Sequence, residues 1–196
     1  GTVAATLIDR ARVNGRNVPL HWRFNRVASR VRADSVSLVY DTAHPHLRLT
    51  WEWRARAPRG PLEHSIRIEN RTAQELWIPL QDSFRFGWKL ATNQALQQLW
   101  IDKGAGEAPP VGTHLQEVAE GYRWRGTSSS YAHPSKGEPR EIIPYMLVRS
   151  PGDAASNGWY LGVEFSGRVA MQLQRHGDVL EGRAGLDPEP GPFRTR

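Results

Sequence analysis

The sequence predicts an all-β protein built on stacked sheets, and three observations carry that expectation. Alternation of apolar and polar residues with period two dominates the chain. Turn-forming Gly, Pro, Asn and Asp recur roughly every 8–12 positions, the spacing of β-sandwiches and barrels. Segments with a helical period of 3.6 are scarce. Eight tryptophans supply the large apolar area that the facing sides of two sheets need.

The elements follow in order. Asn14–Gly15 in "VNGRNV" is a hairpin signal, because both central residues of a type I′ turn take positive φ. "LHWRF" alternates through Leu20, Trp22 and Phe24, and "SVSLVY" through Val36, Leu38 and Tyr40. In "HLRLTWEWRARA", Leu47, Leu49, Trp51, Trp53, Ala55 and Ala57 alternate with polar residues, which marks a strand with one wet face. "APRGP" then turns the chain into "LEHSIRIEN", so 46–70 reads as a hairpin. "ELWIPL" is a further strand, and "SFRFGWKL" alternates through Phe84, Phe86, Trp88 and Leu90. "TNQALQQLWI" at 92–101 fits a short helix or a strand. "LQEVAEGYRW", "EIIPYMLVR", "WYLGVEF" and "VAMQLQR" are the remaining strand candidates, and 103–112 and 134–139 are long Gly/Pro-rich loops. After Ala184 the alternation stops, and "GLDPEPGPFRTR" reads as an exit segment. Roughly twelve strands with almost no helix imply two large sheets whose buried faces meet about 10 Å apart.

Composition narrows the functional classes. A chain of 196 residues forms one large β domain or two small ones, and buries about 70% of its unfolded surface without staples. The absence of cysteine excludes disulfides and thiolate metal sites. No apolar run reaches the length of about 18 residues that a membrane span needs, so no membrane partner is expected. The opening "GTVAATLIDR" lacks the basic and apolar regions of a signal peptide. The net charge of +6 comes almost wholly from arginines scattered among acidic residues. A nucleic-acid surface would cluster them, so no nucleic-acid partner is expected.

Catalytic signals are thin. The serines of "TSSSY" at 127–131 lack a Gly-x-Ser-x-Gly elbow and fit turn chemistry. His44 and His46 share one face of an extended segment, but spacing identifies no third ligand, so neither a metal nor any other cofactor is expected. Glycoside hydrolysis needs two carboxyl groups about 5–9.5 Å apart. Glu52, Glu69 and Glu164 lie in strand patterns that point them mostly outward.

Three stretches, in this order, resemble one known family. "LTWEWRARAPRGPLEHSIRIENRTAQELWIPLQDSF" resembles the strand pair and Asn-centred turn of sugar-active supersandwich domains. "YRWRGTSSSYAHP" at 122–134 resembles the Arg-(Thr/Ser)-Ser-His loop of the N-terminal domain of family-thirty-six glycoside hydrolases, mainly α-galactosidases. "GWYLGVEFSGRVAMQLQ" with "GRAGLDPEPGPF" resembles that family's Ser-Gly-Asn strand pair and the segment leading into its barrel. Together they cover residues 46–193. Two departures stand out. His133 comes later than the family's loop histidine, and Arg168 stands where the family usually has Asn.

The resemblance implies a β-supersandwich (galactose mutarotase-like) over 1–196, with 184–196 leading towards a missing (β/α)8 barrel that would carry the catalytic residues. On that reading the chain itself has no catalytic residue. It packs on the barrel and helps shape the sugar-binding rim through the 123–134 loop. Arg125 would make forked hydrogen bonds to a carboxylate or hydroxyls, Ser128, Ser129 and His133 single bonds, and Trp124 would stack on a sugar ring. The partners implied are carbohydrate and the barrel. Assembly as a homo-oligomer is compatible with the family, and so is a secreted or periplasmic parent. A domain parted from its barrel is expected to expose an apolar patch. Two alternatives differ in class. A free-standing carbohydrate-binding module would bind glycans unaided. A mutarotase-like sugar epimerase would carry a histidine after Asn70, where this chain has Arg71.

Overall fold

The structure, a computed structural model, describes residues 2–4, 7–58, 60–79, 82–91, 93–103, 112–128, 141–152, 158–165, 167–187 and 193–195. Of residues 2–4 and 193–195 it describes the backbone alone. Eighteen strands, and no helix, occur among the described residues. The first nine are Thr2–Ala4 (β1), Arg10–Val13 (β2), Arg16–Pro19 (β3), Arg23–Phe24 (β4), Arg30–Val31 (β5), Ser35–Thr42 (β6), Leu47–Ala55 (β7), Leu62–Asn70 (β8) and Leu76–Ile78 (β9). Then come Asp82–Lys89 (β10), Gln97–Ile101 (β11), Thr113–Glu117 (β12), Arg123–Ser128 (β13), Tyr145–Arg149 (β14), Gly158–Gly162 (β15), Val169–His176 (β16), Val179–Leu186 (β17) and Phe193–Thr195 (β18). The protein is therefore all-β and sandwich-like, as its alternation dictates, with the strands dealt among four sheets in two compact units.

The smaller unit spans 5–83 and 190–196. One of its sheets runs β18-β9-β2-β3, and the other runs β4-β6-β7-β8 with β5 also on β6. Asn14 (φ 48°) and Gly15 (φ 77°) close the β2–β3 hairpin. β7 and β8 pair antiparallel from Leu47↔Asn70 to Ala55↔Leu62, which makes 46–70 the expected hairpin. Ile8, Ala11, Leu20, Leu47, Leu76 and Ile78 form the core of this unit. On β6 the most buried apolar residue is Val39, of opposite parity to the expected Val36, Leu38 and Tyr40. The 25–29 turn meets β6 there. Asn25 N–H donates to Val39 O (2.8 Å) and Ser29 Oγ accepts from Val39 N–H (2.9 Å), so the turn closes the edge of β6 at this residue.

The larger unit spans 1–4 and 84–189. Its five-stranded sheet runs β1-β10-β17-β16-β13 and its four-stranded sheet β12-β11-β14-β15. Their facing sides share one core. Phe86, Val169, Met171, Leu173, Leu180 and Ala184 come from the first sheet, and Met146 and Val148 from the second, with Trp88, Trp100, Trp124 and Trp159 at its margin. The ambiguous 92–101 segment is a strand from Gln97 onward, held between β12 and β14. "LQEVAEGYRW" divides at Gly121 into β12 and β13, and its Val118 and Tyr122 are buried. β17 extends the glycine-rich stretch after His176 in full register with β16, from His176↔Val179 to Val169↔Leu186.

Two polar devices hold this core. Tyr122 Oη donates to Gln98 Oε1 (2.8 Å), and both side chains are buried. Arg175 Nη1 donates to Gln94 O (3.1 Å) and Val118 O (2.9 Å), while its own N–H reaches Tyr122 O (2.9 Å). One guanidinium thus ties the start of β11 and the β12–β13 turn to β16, satisfying carbonyls that lie off any sheet ladder.

Candidate functional site

The residues expected to touch sugar lie on β13 and just beyond it. Successive side chains of a strand point to opposite faces, so Trp124, Gly126 and Ser128 face the core and Arg125 faces out. Trp124 lies 5.6 Å from Trp100, ring centre to ring centre. A Cβ on Gly126 would sit 2.7 Å from the Trp124 ring and 2.5 Å from Ile142 Cδ1. The glycine is the seat that lets the indole lie flat along its own strand. Ser128 is buried at 6% exposure. Ser129 and His133 lie outside the described residues.

Arg125 belongs to a charged cluster instead of standing alone. Its Nη2 lies 3.5 Å from Asp187 Oδ1, and Arg168 Nη2 lies 3.5 Å from Asp187 Oδ2. Asp187 is 6% exposed, whereas each arginine is about half exposed, at 51% and 52%. Asp187 N–H also donates to Arg168 O (3.1 Å). A buried carboxylate thus anchors two guanidinium groups at the outer limit of hydrogen-bond length. The cluster carries one net positive charge, and both forks keep donors facing solvent. Such an arrangement can bind vicinal hydroxyls or a carboxylate.

Behind Trp124 the aromatic chain continues. Trp100 and His114 are cross-strand partners and stack, with centroids 4.9 Å apart and planes 12° apart. His114 Nε2 lies 2.9 Å from Asp102 Oδ2. That nitrogen does not meet hydrogen-bond geometry.

Asp187, Asp102 and His114 were not singled out by the sequence reading. Asp187 falls in the stretch that reads as an exit segment, and only the full length of β17 brings it beside Arg168. His114 was findable in principle: two strands flanking the 103–112 loop form a hairpin that sets it opposite Trp100. His44 and His46 lie exposed in the β6–β7 turn, and among the described residues no group of three His, Asp or Glu side chains could hold a metal. Glu52 and Glu69 face Arg54 (3.3 Å) and Arg71 (3.0 Å).

This architecture is that of an all-β, sandwich-like protein. The sequence matches no protein-family model and no curated protein. In three dimensions the chain is similar to the GH36 α-galactosidase AgaA from Geobacillus stearothermophilus, with a TM-score of 0.71 at 13% identity. It is also similar to the galactosidase domain of the α-galactosidase–sucrose kinase AgaSK (0.67, 11%) and to the α-galactosidase from Lactobacillus brevis (0.63, 13%). The match covers 95–97% of this chain but 27–28% of theirs. Variants of AgaA have been solved in complex with raffinose and with stachyose. At such identities the likeness is one of fold. Among the described residues no helix is long and apolar enough to cross a membrane.

Proposed function

We propose that this chain is a non-catalytic accessory domain of a glycoside hydrolase of the α-galactosidase type. It packs on a (β/α)8 barrel supplied by further chain and shapes the rim of that barrel's sugar site. The observation that carries the reading is the asymmetry of coverage: nearly all of this chain matches about a quarter of each enzyme. The remaining three quarters of those enzymes leave ample length for a barrel, which needs about 250 residues.

The four-stranded sheet of the larger unit supports it. Its inner face is in the core, yet Leu115, Leu99, Leu147 and Tyr160 are successive cross-strand partners on its outer face. Leu115 and Tyr160 are 49% and 53% exposed. An antiparallel sheet normally keeps one solvated face, so an apolar row on both sides fits a sheet covered by a neighbour, here the barrel. Arg125 and Arg168, steadied by Asp187, are the rim donors, with Trp124 and Ser128 on the opposite face of β13; Ser129 and His133 are assigned to this rim from the sequence alone.

The test is to express the reading frame continued past Arg196 and to measure raffinose hydrolysis. R125A/R168A should raise KM about tenfold, the loss of one or two charge-assisted hydrogen bonds. An unchanged KM would remove the rim assignment.

A further inference from the structure

We infer a second sugar site, distinct from the rim, at the opposite end of the larger unit. An open cleft of about 610 Å³ lies between its two sheets, where β10, β14, β15 and β17 come together. That volume is in the range of small-ligand sites, roughly 300–1,000 Å³. Trp88 and Trp159 line it, their ring centres 4.6 Å apart and their planes nearly perpendicular at 83°. Val148 and Leu180 lie beneath these rings in the core, with almost no accessible surface of their own.

The polar lining is of one kind. Lys89, Gln94 and Ser150 are the polar side chains lining the cleft among the described residues. Gln94 spends its carbonyl oxygen on Ala91 N–H (3.1 Å), which leaves its amide NH2 as a donor. Lys89 is 82% exposed and lies 3.6 Å from Asp178, so its charge is largely matched at the mouth. Among the described residues no carboxylate lines the cleft.

These features select a ligand class. A pyranose has an apolar face of C–H groups and an edge of hydroxyls. Two crossed indoles offer a stacking surface for the first, and an amide, a hydroxyl and an ammonium group offer partners for the second. The pairing of Lys89 with Asp178 disfavours strong anions. The expected ligand is a neutral oligosaccharide containing hexopyranose.

The cleft is not the rim seen from another side. The Arg125–Asp187–Arg168 cluster sits at the Val169 end of β16, and Leu180 on the cleft floor is opposite Arg175. Six residues of strand separate them, roughly 20 Å. This inference goes beyond the accessory-domain reading, since it concerns binding by the 196-residue chain and no hydrolysis enters it.

The test is a raffinose titration of the whole chain, followed by NMR of the indole N–H signals. Saturable shifts of Trp88 and Trp159 are expected, with K89A/S150A weakening binding about threefold to tenfold, the loss of one or two hydrogen bonds. W159A should abolish it. If W159A fails to fold, the variant K89A/S150A, which changes only polar residues of the cleft, still decides. Indole signals that stay fixed, or binding that survives K89A/S150A unchanged, would overturn the inference. So would shifts produced by an alkyl alcohol but not by raffinose, which would mark the cleft as purely apolar.

Discussion

Single side chains set the pH limits of the smaller unit. Asp41 accepts from Arg48 Nε (2.7 Å) and from Asn25 Nδ2 (2.6 Å). The Arg48 hydrogen bond, outweighing the cost of burial, holds its carboxyl down from 3.8 to about 2. A depressed carboxylate pKa contributes stability that is complete above the unfolded value and lost as pH falls towards the folded one. D41N should therefore lower stability by about 1–2 kcal/mol at neutral pH and flatten the acid limb between 3.8 and about 2, read by urea unfolding at several pH values. His64, against Trp51 and Trp53 at centroid distances of 5.8 and 4.6 Å, is pushed down by burial from 6.5 to about 4. Its neutral form is favoured in the fold, so stability falls as pH drops from 6.5 through about 4, and H64Q should remove that component. In the larger unit burial raises Tyr122 from 10 to about 12. Its stabilisation is complete below 10 and is lost as pH rises through about 12, and Y122F should abolish that alkaline limb at a cost of about 1 kcal/mol near neutrality. The Tyr122–Gln98 contact was not legible in the sequence, because the two residues meet only through the fold, whereas Asp41–Arg48 and Trp53–His64 are cross-strand partners of neighbouring strands whose register the sequence left open.

At the scale of elements, local patterns were read well wherever one face of a strand is buried and the other wet. The run from Leu47 to Trp51 and the Phe84–Phe86–Trp88 stretch of β10 behave as alternation requires. The Asn14–Gly15 turn was explicit because only a few residue types tolerate positive φ. What failed to show was any element whose reason is non-local. β17 is rich in glycine and lacks a strand's usual composition, and its neighbours β10 and β16 impose its conformation. The burial of Val39 on β6, whose backbone edge is held by the 25–29 turn, is not foreseen by hydrophobic periodicity. Two variants test the elements of the larger unit. R175A would leave Gln94 O and Val118 O without their donor and should cost about 2–3 kcal/mol. G126A forces a methyl into the Trp124 and Ile142 contacts and should cost about 1–3 kcal/mol. Thermal unfolding measures both, and loss of Trp124 near-UV dichroism would locate the second.

For the whole molecule, the fold class was legible because alternation and turn spacing extend over the length of the chain. The site was legible in part. Arg125 and Arg168 were noticed as motif residues, but the buried Asp187 that joins them lay in a stretch read as an exit. Trp124 and Arg125 were grouped by adjacency in sequence, and a strand separates neighbours to opposite faces. The account's central claim is a division of labour, in which this domain supports sugar binding and a barrel elsewhere cleaves the bond. The most direct measurement is release of the aryl group from an aryl α-galactoside, comparing the 196-residue chain with the product of the reading frame continued past Arg196. The account predicts no turnover by the chain alone and clear turnover by the longer product. Hydrolysis by the chain alone, or a longer product that cleaves no glycoside, would contradict it.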